Sequence, residues 1–244
     1  MININRYKLI ALSIKYQGEY YALYKAILNH EDIDEVYDVN AITILDDEYP
    51  KCFLDLKLPP LVLFYKGNIE LLNSRCVGVV GSRSICDYAK EATIKLVSKL
   101  KFEYTIVSGM AKGVDSIAHK EALDHKTISI LGSGIDYIYP YCNKELYLDL
   151  IKNHLIISEY PFFTKPLAYH FPFRNRLIAA LSDNLYVMQA SLKSGTLTTV
   201  NEMVELNKDV YALPYEVFDK NGLGTNKLIQ EGANLILFDD LGIS

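Results

Sequence analysis

Short runs of uninterrupted apolar residues alternate along the chain with longer stretches whose apolar positions follow a helical period. Strand-length runs that are apolar throughout are typical of strands covered on both faces, and therefore of a parallel sheet between two layers of helices. The predicted strands are Leu61–Tyr65, Cys76–Val80, Tyr104–Val107, Thr127–Leu131, Leu155–Ile157, Leu185–Met188, Val210–Leu213 and Leu235–Leu237. The predicted helices between them are Tyr88–Leu100, Val114–Asp124, Lys144–Lys152, Thr198–Leu206 and Asn226–Gln230. This alternation predicts a doubly wound, Rossmann-like α/β fold with a mainly parallel sheet.

Residues 1–40 have a different pattern, with a helical stretch at Tyr16–Leu28 followed by a charged break at Glu31–Glu35. A segment of this length is too short to fold alone. We therefore expect a reduced helical N-terminal appendage at residues 1–40 and one α/β domain at residues 41–244, with no C-terminal accessory domain. The apolar run Leu9–Ile14 is too short for a signal peptide or a membrane helix, and no later apolar run is long enough to span a bilayer, so a cytoplasmic protein is expected.

Charge is distributed unevenly in this acidic protein, whose net charge is -5. The segment from Pro161 to Ser182 contains no acidic residue, and it includes His170-Phe171-Pro172-Phe173-Arg174-Asn175-Arg176 just before the apolar helical run Leu177–Leu181. Arginines and rings concentrated in an acidic chain predict a shaped anion site, with nucleic-acid backbones and nucleotide phosphates as its candidate ligands. The four cysteines show no CxxC spacing, which favours neither a disulfide framework nor a zinc site.

Three glycine-containing loops follow successive predicted strands. Gly81-Ser82-Arg83 combines a tight turn with a hydroxyl and a cation suited to a phosphate. In the second loop, Ser108–Gly113, Lys112 could serve the same purpose, while Asp115 and His119 could pair with each other or cap the helix. The third loop, Gly132–Gly134, is interpreted as mainly structural. Each glycine has an alternative explanation in the turn alone, but all three loops lie at the carboxyl edge of the sheet, where open α/β folds bind ligands.

A fourth group, Lys193-Ser194-Gly195-Thr196, opens a predicted helix after the strand Leu185–Met188. Its hydroxyls can cap that helix or donate to a bound anion. Catalytic patterns are scarce, because the chain has no Walker A motif, no HExxH and no paired carboxylates. We therefore expect a protein that is not an enzyme and that needs neither cofactor nor metal.

Taken in order, these motifs resemble the DprA/Smf family of bacterial DNA-processing proteins. The resemblance extends from about Asp46 to Phe238. It is carried by Tyr49-Pro50, Pro59-Pro60, Gly67, Gly81-Ser82-Arg83, Ser108–Asp115, Gly132-Ser133-Gly134, Tyr139-Pro140, Ser158–Pro161, Phe171–Arg176, Ser194–Thr199 and Gly224–Ile229. Lys112 departs from the family, which usually has arginine there, and the winged-helix domain often found at the C-terminus of its members is not expected here.

The resemblance implies an extended Rossmann domain that binds single-stranded DNA, forms a homodimer and helps load a RecA-type recombinase onto incoming strands in natural transformation (competence) and recombination. It also implies an anion pocket built around Arg83. Phosphate contacts are expected from Arg83, Lys112, Lys165, Arg174 and Arg176. Base stacking is expected from Phe171, Phe173 or Tyr169. The remaining expected DNA-binding residues are Gly81, Ser82, Ser108, Gly109, Asn175, Lys193, Ser194, Gly195 and Thr196.

Two other functions are compatible with the sequence. Gly195-Thr196 followed by Glu202 superficially resembles the signature of Rossmann-type phosphoribohydrolases that cleave nucleoside monophosphates, although the spacing differs and a preceding double glycine is missing. A scaffold protein with purely structural loops is the second alternative, and it predicts no affinity for DNA.

Overall fold

The computed structural model describes residues 4–238, and within them nine strands form one sheet in the order β1-β2-β6-β5-β4-β3-β7-β8-β9. The strands are β1 (Ala41–Thr43), β2 (Val62–Gly67), β3 (Cys76–Gly81), β4 (Thr105–Ser108), β5 (Thr127–Ile130), β6 (Leu155–Ser158), β7 (Asn184–Gln189), β8 (Asp209–Ala212) and β9 (Asn234–Leu235). All neighbouring pairs from β6 to β9 are parallel, whereas β1 with β2 and β2 with β6 are antiparallel. The predicted mainly parallel α/β fold is confirmed.

Helices cover both faces of this sheet. They are α1 (Arg6–Lys15), α2 (Tyr20–Leu28), α3 (Asp87–Leu100), α4 (Val114–Glu121), α5 (Lys144–Asn153), α6 (His170–Leu181), α7 (Thr196–Glu205) and α8 (Leu223–Gln230). Single 3₁₀ turns occur at Lys51–Asp55, Ile69–Asn73, Tyr141–Asn143 and Lys220–Gly222. Helices α6, α7 and α8 pack on one face, and the other five pack on the opposite face.

The central strand β3 shows why its sequence is apolar throughout. Cys76 and Val80 belong to the hydrophobic cluster under α6 and α7, while Val77 and Val79 belong to the cluster under α3 and α4. Alternate side chains of a strand point to opposite faces, so both sets of β3 side chains are buried and apolar residues are favoured at every position.

The order of the strands in the sheet changes direction at β3, which is the topological switch point of the fold. From β3 it proceeds outward through β4, β5 and β6, and it then returns to the other side of β3 to form β7, β8 and β9. The carboxyl ends of β3 and β7 lie side by side at this switch point, with an irregular register between Val80 and Gly81. Loops that leave neighbouring strands on opposite faces open a crevice there.

The N-terminal region consists of two helices instead of the single one predicted at Tyr16–Leu28. Gly18 separates them with a positive φ of 76°, and a Cβ atom on Gly18 would lie 2.4 Å from the carbonyl oxygen of Glu159. Leu9, Leu12 and Leu23 share a hydrophobic cluster with Phe64 of β2. The two helices therefore have a common core with the antiparallel edge of the sheet.

Candidate functional site

A cleft of about 940 Å³ opens at the switch point, between the loops that follow β3, β4 and β7 and the first two turns of α6. Nine of the predicted site residues line this cleft, and they come from all of these segments except the β4 loop. They are Gly81, Ser82, Arg83, Phe171, Arg174, Asn175, Ser194, Gly195 and Thr196. A smaller pocket adjoins the cleft and is lined by Lys112, from the β4 loop. The fold thus brings together most of the residues that the sequence singled out.

The loop after β3 approaches its neighbours closely. A Cβ atom on Gly81 would lie 2.7 Å from Val114 Cγ2, so the loop cannot accept a larger residue without moving α4. The hydroxyl of Ser82 is engaged within the loop, since it donates to the Ser84 carbonyl at 2.7 Å. Arg83 is exposed, and its guanidinium carbon lies 5.2 Å from the ring centroid of Phe171. An exposed cation therefore lies against an aromatic ring at the cleft.

The loop after β4 packs beneath the cleft through buried residues. Ser108 is fully buried and donates to the Val79 carbonyl at 2.6 Å, so its side chain faces the sheet and not the cleft. Gly109 is also buried, and a Cβ atom there would lie 2.5 Å from both Arg174 Nη1 and Asp115 Oδ2. Glycine at this position leaves the space of a side chain to the Arg174 guanidinium and the Asp115 carboxylate.

Asp115 and His119, for which pairing or capping was considered, do not bond to each other. Asp115 accepts from the Ala111 amide at 3.2 Å, and burial raises the pKa of its carboxyl although Arg174 opposes this shift. His119 has both ring nitrogens engaged, Nδ1 with Thr127 Oγ1 at 2.6 Å and Nε2 with the Gly109 carbonyl at 2.7 Å. Both residues organise the loop from inside the protein.

Helix α6 begins at His170, so the Phe171–Arg176 segment forms its first two turns instead of preceding it. Pro172 is compatible with this start because amide groups in the first turn have no partner within the helix. Phe171 and Arg174 are three positions apart, hence on one face, and both line the cleft. Arg174 is largely buried and donates from Nη1 to the Ile130 carbonyl at the end of β5.

Asn175 connects α6 to α7. Its Nδ2 group donates to Thr198 Oγ1 at 2.8 Å and to the Gly195 carbonyl at 3.3 Å, and its Oδ1 atom accepts from Arg174 Nε at 3.2 Å. The far end of α6 is held as well, because Lys208 Nζ donates to the carbonyls of Ala179, Ala180 and Ser182 at 3.1, 2.6 and 2.9 Å.

Arg176 lies in the protein interior, which corrects the expectation that it contacts phosphate. Its guanidinium forms a bidentate ion pair with Glu159 at 2.6 Å for both hydrogen bonds, and the two side chains are only 5% and 6% exposed. Phe173 covers this pair, with its ring centroid 3.8 Å from the guanidinium carbon, and packs edge-on against Tyr20. Both residues therefore stabilise α6 and do not line the cleft.

Two predicted lysines also lie outside the cleft lining. Lys193 is exposed in the loop before α7, next to Ser194, whose Oγ accepts from the Thr196 amide at 3.2 Å. Lys165 lines a separate cavity of about 450 Å³ beside the N-terminal helices. In that region Glu19 Oε1 accepts from Tyr169 OH at 2.7 Å and lies 2.9 Å from His170 Nε2, which ties the N-terminal turn to the start of α6.

Sequence reasoning left out several residues that line the cleft. Tyr139 lies 5.7 Å from Phe171 between ring centroids, and Asp115 lines the cleft beneath Arg174. Ser84, Thr198 and Thr199 contribute from the loop after β3 and from α7. The Tyr139-Pro140 motif was a usable signal for the first of these, whereas Asp115 could be placed only once the loop geometry was known.

Within residues 4–238 no three histidine, cysteine, aspartate or glutamate side chains are grouped so that they could hold a metal ion. In the same part of the chain, none of the helices combines the length and the apolar character that crossing a membrane requires.

Comparison with known proteins gives consistent results. The DNA processing protein DprA of Streptococcus pneumoniae is 42% identical over 198 residues, which cover 80% of this chain and 70% of that protein. DprA of Bacillus subtilis is 38% identical over 202 residues, covering 81% and 68%. Protein Smf of Escherichia coli is 36% identical over 192 residues, covering 77% of this chain but only 51% of its own length.

Two solved structures are also similar. The crystal structure of S. pneumoniae DprA superposes with a TM-score of 0.82 at 35% identity, covering 94% of this chain and 93% of that one. DNA processing protein A from Helicobacter pylori, whose structure was described for its single-stranded DNA binding mode, superposes with a TM-score of 0.77 at 35% identity, covering 84% and 95%. Residues 40–241 match the family described as DNA recombination-mediator protein A. The chain belongs to this family, as its ordered motifs and its sheet topology indicated.

Proposed function

We propose that this protein binds single-stranded DNA in the cleft at the switch point, without catalysing a reaction on it. The observation that supports this most directly is the exposed Arg83 guanidinium, which lies against the ring of Phe171. Arg174 follows Phe171 by three residues on α6 and lines the same cleft. A cation beside an aromatic ring can contact a phosphate and stack a base of one strand. Bases in a duplex are already stacked, so the same arrangement favours single strands.

The contacts can be assigned from the geometry. Arg83, Lys112 and Arg174 are the cations that border the cleft and its adjoining pocket, and they are the proposed phosphate contacts. The Gly195 amide and the Thr196 hydroxyl are the proposed neutral donors at the start of α7, because the amides of Ser194 and Thr196 already donate to the Ser191 carbonyl and to Ser194 Oγ. Such contacts bind the backbone of any sequence.

We further propose that the bound strand is passed to a RecA-type recombinase in the cytoplasm, in natural transformation and recombination, and that the protein acts as a homodimer. Membership in the recombination-mediator family supports this role. The described DNA-binding mode of the H. pylori relative supports the ligand.

The test is the affinity of Arg83→Ala for a fluorescent single-stranded oligonucleotide, measured by anisotropy across a salt series with duplex as competitor. Loss of one charge-assisted contact should weaken binding roughly tenfold. It should also reduce the slope of log K against log salt by about 0.7.

Arg75→Ala is the matched control. Arg75 is an exposed arginine at the opposite end of β3, and it also lies over a ring, 4.7 Å from the centroid of Tyr104. Its removal should leave affinity and salt slope unchanged. If both variants fold and Arg83→Ala binds single strands as tightly as Arg75→Ala, the cleft is not the binding site.

A phosphoribohydrolase activity has less support in the structure. Glu202, which would have to act as its acid or base, lies on α7 and does not line the cleft, although burial raises the pKa of its carboxyl. Release of adenine from AMP by the purified protein, abolished in Glu202→Gln, would overturn the choice of a non-catalytic function.

A further inference from the structure

Residues 161–169, between β6 and α6, lie between the cleft and the cavity of about 450 Å³ beside the N-terminal helices. We call this segment the ridge. Pro166 and Ala168 of the ridge line the cleft, whereas Lys165 and Leu167 line the cavity. A polymer that leaves the cleft across the ridge therefore enters the cavity directly.

The ridge is held in place by backbone hydrogen bonds to the loop after β5. The Gly134 amide donates to the Thr164 carbonyl, and the Asp136 amide donates to the Phe162 carbonyl, both at 2.8 Å. Phe162 has a positive φ of 44°, which is unfavourable for an aromatic residue and persists only where the surrounding structure maintains it. The side chains of the ridge are therefore presented from a fixed backbone, without the ordering cost of a flexible loop.

Two aromatic rings of the ridge are exposed. The exposed fraction is 72% for Phe163 and 54% for Tyr169, and the Tyr169 hydroxyl is fixed by its hydrogen bond to Glu19. Single exposed apolar residues are common on protein surfaces, so neither ring alone indicates a ligand. Two rings on one fixed segment, with a cation between them in the sequence, are typical of surfaces on which the bases of a single strand stack.

The cation of the ridge is available to an anion. Lys165 is exposed, and within residues 4–238 no hydrogen bond or ion pair engages its ammonium group. Among the described residues that line the cavity, the only carboxylate is Glu19, which already accepts from Tyr169 OH and lies 2.9 Å from His170 Nε2. A phosphate at this point would gain a cation without facing an unpaired carboxylate.

We propose that the ridge and its cavity bind the nucleotides next to those held in the cleft, with bases stacked on Phe163 and Tyr169 and a phosphate against Lys165. The proposal rests on the proposed function, because a strand in the cleft is what brings further nucleotides to the ridge. Those nucleotides are tethered, so they reach the ridge at a high effective concentration, an advantage that a separate protein partner does not have. Strands long enough to occupy both the cleft and the ridge bind more tightly than strands that fill the cleft alone.

The experiment measures affinities for oligo-dT of about 4 and about 16 nucleotides, the limits of site size typical of single-strand-binding modules. Phe163→Ala should weaken binding of the long strand roughly tenfold, the loss typical of one stacked base, and should leave binding of the short strand unchanged. Lys165→Ala should reduce the slope of log K against log salt by about 0.7 for the long strand alone. Lys165→Arg should restore that slope, because it restores the charge.

Matched controls lie at the opposite edge of the sheet. Phe102, which is 69% exposed, precedes β4, and the exposed Lys126 precedes β5. Phe102→Ala and Lys126→Ala should leave affinity and salt slope unchanged for both strands. Thermal denaturation should show that every variant folds like the parent protein, since all the replaced side chains are exposed.

The results separate the two proposals. If Arg83→Ala weakens both strands while Phe163→Ala and Lys165→Ala bind the long strand as the parent protein does, the ridge is not a binding site and the cleft remains one. Equal weakening of the short and the long strand by Phe163→Ala would also overturn the ridge as a separate segment. Failure of the parent protein to bind either strand would overturn the proposed function and the ridge with it.

Discussion

Arg174 and Arg176 are two positions apart on α6 and have different roles. Two helical residues correspond to a rotation of about 200°, so the two side chains leave opposite sides of the helix. Arg174 reaches the cleft, and Arg176 reaches Glu159 behind it. The sequence alone favoured equal roles because the segment His170–Arg176 was expected to precede the helical run Leu177–Leu181. A proline in the first turn is compatible with a helix, and the separation of the two arginines follows from that start.

The buried ion pair between Arg176 and Glu159 contributes to the stability of the fold. Glu159→Gln leaves the Arg176 guanidinium in the interior without its counter-charge, and we expect the free energy of unfolding to fall by about 3 kcal/mol. Urea denaturation followed by circular dichroism measures the change.

A matched surface pair gives the control for this prediction. Glu91 and Lys95 are 2.9 Å apart on the exposed face of α3, so Glu91→Gln should change stability by less than about 0.5 kcal/mol. Replacing both interior partners, as in Glu159→Leu with Arg176→Met, should recover most of the loss. Equal losses in Glu159→Gln and Glu91→Gln would contradict the interior role of the pair.

Among the elements, the strands were the most predictable part of the fold. Eight apolar runs correspond to β2 through β9, and burial on both faces favours apolar side chains in most of these strands, although both residues of β9 are exposed. The three-residue strand β1 and the antiparallel orientation of β2 were missed. Neither leaves a signal in the sequence, because a strand of three residues has no period and burial does not depend on strand direction.

The turn at Gly18 between the two N-terminal helices packs closely against the carbonyl of Glu159. Gly18 has φ of 76° and no space for a Cβ atom beside the Glu159 carbonyl, so Gly18→Ala should lower the free energy of unfolding by about 2 kcal/mol. Gly195→Ala is the control, since nothing lies within 4 Å of a Cβ atom there, and it should leave stability unchanged or slightly higher. Comparable stability of the two variants in thermal denaturation would show that the N-terminal turn is not held against the sheet.

In the molecule as a whole, the position of the cleft was predictable from the sequence. The residues that line the cleft were predictable only in part. Glycine loops after parallel strands had to meet at one edge of the sheet, and Arg83 lies there as expected. Lys165 and Lys193 could not be placed in the same way. Each is on a loop whose path depends on packing against α6 or α7, and loop paths are not encoded in local patterns.

Stability in acid is a property of the whole molecule that depends on His119. Burial lowers the pKa of this imidazole to about 4, compared with about 6.5 in an unfolded chain. Between these values the unfolded state binds a proton that the folded state does not, so stability falls as pH drops from about 6.5 towards 4. We expect a contribution of about 3 kcal/mol over this window.

The measurement is urea denaturation at several pH values, with His119→Gln as the comparison. Glutamine has no titrating group, so the variant should lose less stability than the parent protein between pH 6.5 and pH 4. Parallel curves for the two proteins would rule out His119 as the source of the acid sensitivity.

The anchoring of α6 has a consequence for the energetics of recognition. Asn175, Arg176 and Lys208 hold this helix along its whole length before any ligand arrives. Ordering a flexible side chain at an interface costs roughly 0.5–1.5 kcal/mol, and for Arg174 that cost is met during folding. For the proposed single-stranded DNA ligand, the entropy lost on association would then belong mainly to the nucleic acid. Association rates should accordingly follow the flexibility of the strand, with self-stacked homopurine oligomers entering the cleft more slowly than unstacked ones.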